Sequence, residues 1–154
     1  MKTCDHKSVG MIIRNGEKIL LIERGRPPYG FAPPAGHVDE KGSFENAARE
    51  ETMEEVGLKV IDLKQVAAGR KENRCRRDGG TWHYWKIYEV TTSGEISRNL
   101  DETKQAGWYS TKQIKSLAEK TKKYLSGNIP EEEWQKSPGL ELAWFDWLTQ
   151  LKII

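Results

Sequence analysis

Cysteine is scarce in this chain of 154 residues, which has only Cys4 and Cys75. Two thiols cannot build the framework of a small disulfide-stapled secreted domain, so both are expected to be reduced. An excess of charge of one sign is missing as well. Lys and Arg number 25 against 23 Asp and Glu, a formal net charge of +2, which excludes a strongly basic nucleic-acid coat but leaves room for a local basic patch. No apolar run approaches the roughly 20 residues that a membrane-spanning helix needs. The longest are strand-sized, such as Ile19-Leu20-Leu21-Ile22. The opening residues, Met1-Lys2-Thr3-Cys4-Asp5-His6-Lys7, hold no apolar core of a secretory signal. A soluble, cytoplasmic protein is the expectation. Six Trp, five Tyr and three Phe argue for a packed core, and the length suits one domain over residues 1–154.

Short β-rich runs at Ser8 to Ile13 and Lys18 to Glu23 flank Asn15-Gly16, a strong hairpin signal. Gly25 to Gly36 is crowded with proline and glycine and must be a shaped loop. Ser43 to Val56 reads as a helix, with Ser43 as N-cap and Gly57 as its stop. Leu58 to Ala68 and Thr81 to Val90 read as strands, and Trp108-Tyr109 as the end of another. Helices are expected over Thr111 to Leu125 and Pro138 to Leu151. Trp134, Trp144, Phe145, Trp147 and Leu148 read as packing of the C-terminal helices against the domain. The order of elements points to a layered α+β domain.

The helix carries its charges in an unusual place. Glu54 and Glu55 fall within about 60° of Glu51 on a helical wheel, and so do Phe44, Ala47 and Ala48. A stripe that begins as Phe, Ala, Ala therefore continues as Glu, Glu, Glu. A Glu-rich helix face is usually just solvated. Here, however, like charges repel at spacings of three and four, and they sit at the helix end where the dipole disfavours anions. A hard divalent cation held by carboxylate oxygens explains the pattern.

The stretch Gly36-His-Val-Asp-Glu-Lys-Gly-Ser-Phe-Glu-Asn-Ala-Ala-Arg-Glu-Glu-Thr-Met-Glu-Glu-Val-Gly57-Leu58 resembles the box of the Nudix (MutT-like) family, GX5EX7REUXEEXGU with U a bulky apolar residue. Phe31-Ala-Pro-Pro-Ala-Gly36 is similar to the usual aromatic approach to that box. The resemblance implies an αβα sandwich with a mixed central sheet, here with additional C-terminal helices. It implies Mg²⁺ or Mn²⁺ held by Glu51, Glu54 and Glu55, and hydrolysis of a nucleoside diphosphate linked to another moiety. Gly42 stands where the family has its first Glu, Glu50 where it has Arg, and Thr52 at the U position. Arg49 points about 160° away from Glu51 on the wheel and cannot replace the missing Arg. These departures keep open an alternative of another class, a Nudix-fold nucleotide-binding or regulatory module with little turnover.

The resemblance also implies a base that is either a box glutamate, Glu54 or Glu55, or a Glu from a later loop. Leu100 to Ser110 resembles the family's Glu…Trp-x-Ser segment, so Glu102 is either a base or extra ligand or else a plain loop carboxylate in water. Arg24, Arg26, Tyr29 and Phe31, in the loop before the box, are candidates for substrate binding, because Arg grips phosphate and aromatic rings stack on bases. Arg70, Lys71, Arg74, Arg76 and Arg77, near Trp82, Tyr84 and Trp85, form either a solvated run or a patch for polyphosphate or an RNA end.

A further reading concerns zinc. Cys4 and His6 share a face if that segment is extended. Cys75 lies opposite His83 if their hairpin closes over Asp78-Gly79-Gly80, and diagonal to it if the turn is Gly79-Gly80. Two Cys and two His then suit a tetrahedral Zn²⁺ site, provided the first residues run beside the hairpin; otherwise they are ordinary reduced thiols and polar histidines.

Overall fold

A computed structural model describes residues 2–154. Strands β1 (Lys7–Asn15) and β2 (Lys18–Arg24) form the expected hairpin, with Asn15 paired to Lys18 across Gly16 and Glu17. After them come β3 (Phe31–Ala32) and β4 (Ala35–His37), then helix α1 (Phe44–Val56). Strands β5 (Lys59–Lys71), β6 (His83–Ser93) and β7 (Thr103–Tyr109) follow, and then helices α2 (Thr111–Leu125), α3 (Glu131–Lys136) and α4 (Leu142–Gln150).

The sheet runs β3-β2-β1-β6-β5, with β4 added on β1 and β7 on β2. It is mixed, because β1 and β6 pair in parallel from Lys7–Tyr84 to Ile13–Val90 while the other pairs are antiparallel. β1 and β2 are nearly continuous in apolar residues because both of their faces are covered. Val9, Met11, Ile13, Leu20, Ile22, Tyr88 and Val90 face α1. Ile12, Ile19, Leu21, Trp85 and Ile87 face α2 and α4 instead. The period of two along each strand thus feeds two separate cores, and the result is an αβα sandwich.

α1 buries only small side chains, Ala47, Ala48, Thr52 and Val56, so its axis lies close to the sheet. Ser43 caps it by accepting the Asn46 N–H at 3.0 Å, and Gly57, at φ 70, ends it. Thr52 fits the buried U position because its hydroxyl donates to the Ala48 carbonyl at 2.7 Å, which leaves no polar atom orphaned.

The C-terminal region differs from the sequence expectation. Pro138 to Glu141 is not helical, and Leu140 makes a bridge to Phe31 that extends the sheet edge. Helix α4 begins only after Glu141, whose carboxylate accepts the Ala143 and Trp144 N–H groups. The short helix α3 was not expected. It is held by Trp134, which is buried and stacked on Tyr124 at 4.0 Å.

Candidate functional site

The acidic end of α1 meets β4 at the sheet edge. A Cβ on Gly36 would overlap the carboxyl group of Glu51, so glycine here is what lets that carboxylate lie against the strand. Lys41 pairs with Glu51 at 3.0 Å. Glu51 and Glu55 line one cleft together with Glu102 from the loop before β7. Glu54 is exposed, near enough to act on the charge of Glu51 and Lys41. The donor atoms of Glu51, Glu54 and Glu55 do not all fall within 4.8 Å of one another as those of the Cys/His group described below do.

Burial pushes the Glu51 carboxyl up, against the pull of Lys41. Burial also pushes Glu55 up to about 8, with Glu51 and Glu102 adding to the rise and Arg24 opposing it. Between pH 4.5 and about 8 the folded chain therefore holds a proton on Glu55 that the unfolded chain has released. Through this group the metal-free protein loses stability as pH rises across that window. Metal-free Glu55→Gln is expected to melt several degrees above the metal-free parent at pH 8, with the gap closing towards pH 5. Parallel melting profiles for the two proteins would contradict the assignment.

The same cleft is also lined by basic residues, namely Arg24, Arg26, Arg74, Arg76 and Arg77. Arg24 is held by its Nε–H, which donates to the Pro28 carbonyl at 2.6 Å. Arg77 grips Asp39 with two bonds, at 2.5 and 2.9 Å, and this pair holds the Asp39 carboxyl down to about 2. Among the described residues, Arg26, Arg74 and Arg76 enter no ion pair. Arg70 and Lys71 are committed elsewhere, Arg70 over the Trp82 ring and on Glu72, Lys71 on Asp146 and Gln150. Carboxylates and free guanidinium groups on one cleft suit an anionic polyphosphate with a bound cation.

Of the substrate-binding candidates before the box, Arg24 at the end of β2 and Arg26 in the following loop reach the cleft. Tyr29 and Phe31 do not line it: Tyr29 lies under Lys104, and Phe31 is buried in the core, edge-on to Tyr109. Lys41 was missed by sequence reasoning, although it immediately precedes the irregular Gly42. It brings a cation to Glu51 where the box lacks its Arg, while Arg49 turns away to the Val60 carbonyl. The buried Glu141 was also missed. Burial pushes its carboxyl up, and it lies on the cleft lining near Arg24.

Gly42 sits at φ 94, a conformation that penalises any side chain. The expected effect of Gly42→Glu is a loss of about 1–3 kcal/mol of stability. A thermal melt matching that of the parent would show that the loop rearranges freely.

A second cluster adjoins the same cleft. Thr3 bridges Asp78, and the Cys4 N–H donates to the Asp78 carbonyl at 2.9 Å, so the first residues do run beside the β5–β6 connection. The register there is not the expected one, because Lys71 stands opposite His83 and Cys75 lies in the connecting loop. His6 is also not where an extended segment would put it. It adopts φ 59, its ring stacks on Trp82 at 4.1 Å, and its Nδ1 bonds the Trp82 carbonyl. His37 of β4 takes its place, and Cys4, His37, Cys75 and His83 bring one donor atom each within 4.8 Å of all the others. Burial lowers His37 to about 4 and lowers His83, and it raises the Cys4 thiol.

The molecule is thus a mixed-sheet αβα sandwich with carboxylates and arginines on one cleft. The NUDIX domain model matches residues 5–127, and the chain belongs to the NUDIX family, hydrolases of nucleotide derivatives. Solved structures share the fold. A MutT NUDIX hydrolase from Burkholderia pseudomallei is 24% identical, with 70% of this chain and 84% of that one covered and a TM-score of 0.57. A NUDIX-family hydrolase from Clostridium perfringens is 21% identical over 95% and 97%, with a TM-score of 0.60. The E. coli dihydroneopterin triphosphate pyrophosphohydrolase is 19% identical over 73% and 85%, with a TM-score of 0.60.

Proposed function

We propose that this chain, acting as one domain, is a divalent-metal-dependent pyrophosphohydrolase that cleaves a nucleoside diphosphate linked to another moiety. The observation that carries this reading is the shared cleft, whose lining brings Glu51, Glu55 and Glu102 together with Arg24, Arg26, Arg74 and Arg76. The carboxylates offer the hard oxygen donors that Mg²⁺ or Mn²⁺ takes. Glu55, disfavoured as an anion by burial, is the kind of group that a cation stabilises. Glu51, Glu54 and Glu55 would hold the metal, which when bound supplies Lewis-acid polarisation at a phosphoryl oxygen.

The chain's own residues would do the rest. The free guanidinium groups of Arg26, Arg74 and Arg76 bind and orient the polyphosphate. Glu102, with its backbone carbonyl tied to the Gly25 N–H at 2.8 Å, stands at the cleft to take the proton of the attacking water. Assay of a nucleotide panel with Mg²⁺ and Mn²⁺, scored by release of nucleoside monophosphate, tests the proposal. Metal-independent release, or none from any member, would refute it. The second reading, a nucleotide-binding module with little turnover, is favoured by one contact: Lys41 already occupies Glu51. Tight nucleotide binding without turnover is its signature.

A further inference from the structure

We propose that Cys4, His37, Cys75 and His83 form a structural Zn²⁺ site that ties four separate stretches of chain together beside the cleft. This inference stands independently of the proposed hydrolysis. The donor set is two sulfurs and two imidazole nitrogens, a combination that suits Zn²⁺ in closed tetrahedral sites. Zn–S bonds of about 2.3 Å and Zn–N bonds of about 2.0–2.1 Å put tetrahedral neighbours about 3.3–3.8 Å apart. The Cys4 Sγ lies 3.3 Å from His83 Nε2 and 3.6 Å from His37 Nε2. All four donors lie within 4.8 Å of one another, so small side-chain rotations close the set on one ion.

The surroundings are those of a ligand set and not of four unrelated side chains. His83 Nδ1 lies 3.0 Å from the Asn73 carbonyl. A carbonyl only accepts, so Nδ1 carries the proton and Nε2 presents its lone pair to the cluster. Each sulfur accepts a backbone N–H from two residues further on, Cys4 from His6 at 3.3 Å and Cys75 from Arg77 at 3.4 Å. Such donors stabilise thiolates. A Cβ on Gly80 would overlap the Cys75 sulfur and touch the Cys4 Cβ, so the loop closes over the sulfurs only with glycine there.

Binding releases both thiol protons to solvent and changes no oxidation state. Two thiolates and two neutral imidazoles then cancel the charge of the ion, which suits a site where Cys4 and His83 are buried. The ion would join the first residues, β4, the loop carrying Arg74 and Arg76, and the start of β6.

Untagged protein purified without chelator is expected to hold about one zinc per chain by elemental analysis. Its cobalt-substituted form is expected to show the visible bands of a tetrahedral ion and the near-ultraviolet thiolate charge-transfer bands. A strong zinc chelator should lower the melting temperature of the wild-type protein, and added Zn²⁺ should restore it. His37→Ala and Cys75→Ser should lose the metal, whereas His6→Ala should keep it, which separates this geometry from an extended N-terminus. If the two variants do not fold, the chelation and cobalt experiments on the intact chain still decide. Zinc well below one equivalent, a cobalt spectrum without thiolate bands, or a Cys4–Cys75 disulfide in freshly purified protein would overturn the proposal.

Discussion

Glu55→Gln is expected to lower metal-dependent turnover by at least about 100-fold without unfolding the protein, in line with the loss of a group acting directly on the reacting centre. Glutamine keeps the shape and removes the charge. The carboxyl is half-buried on the cleft and destabilised as an anion, so the variant is expected to keep or gain thermal stability in the absence of metal while losing activity. That divergence separates a functional role from a structural one. Glu54→Gln is expected to act in the same direction, and wild-type rates in both variants would remove the proposed metal assignment. Glu102→Gln asks a different question. As the base it should lower kcat and reshape the pH–rate profile, with the metal concentration for half-maximal activity unchanged.

Trp147→Ala is expected to cost about 3–5 kcal/mol, the range for emptying a large aromatic site in a core. At roughly 2–4 °C per kcal/mol for a chain of this size, the melting temperature should fall by about 6–20 °C. Trp147 is fully buried, packs edgewise on Trp85 at 6.4 Å, and lies under the Lys71 ammonium at 4.3 Å. Its indole N–H finds no hydrogen-bond partner among the described residues. Trp147→Phe keeps most of the ring and removes that unsatisfied donor, so its cost should be far smaller, under about 1.5 kcal/mol. Equal destabilisation by both changes would show that the indole's full size matters more than its burial.

The elements legible in the sequence were those governed by local rules. Asn15-Gly16 marked a hairpin, Ser43 and Gly57 bounded α1, and the helical pattern from Thr111 to Leu125 marked α2. The glutamate stripe was legible in part: helical spacing puts Glu51, Glu54 and Glu55 on the side that packs, and Glu51 and Glu55 do line the cleft whereas Glu54 is exposed. What escaped depends on long-range pairing. His37 joins the cysteines because β4 lies on β1, with His37 opposite Ser8, and nothing near position 37 announces that neighbour. His6 left the set through a single left-handed residue, which breaks the alternation of an extended strand. Helix α3 has a proline N-cap that makes no side-chain bond; one buried tryptophan holds it, and that packing is not visible in its charged sequence. Lys41 was readable only as a substitute once Glu51 was known to point at β4.

The parallel pairing of β1 with β6 also governs the order of folding. β1 finds β2 within a two-residue turn, but its other edge waits until residues 84–90 have been synthesised. The face carrying Ile12, Ile19 and Leu21 is covered only when Ile114 and Ala118 of α2, and then Trp144, Trp147 and Leu148 of α4, arrive. Closing loops of that length delays the rewarding contacts and slows folding relative to a helical protein of equal stability. A nascent chain therefore displays Met11-Ile12-Ile13 and Ile19-Leu20-Leu21-Ile22 with open edges and uncovered faces until β6, β7 and the last helices are made, the condition that favours aggregation and engagement by chaperones. The stretch with the least exposed surface in the finished molecule is the one at greatest risk while it is being made.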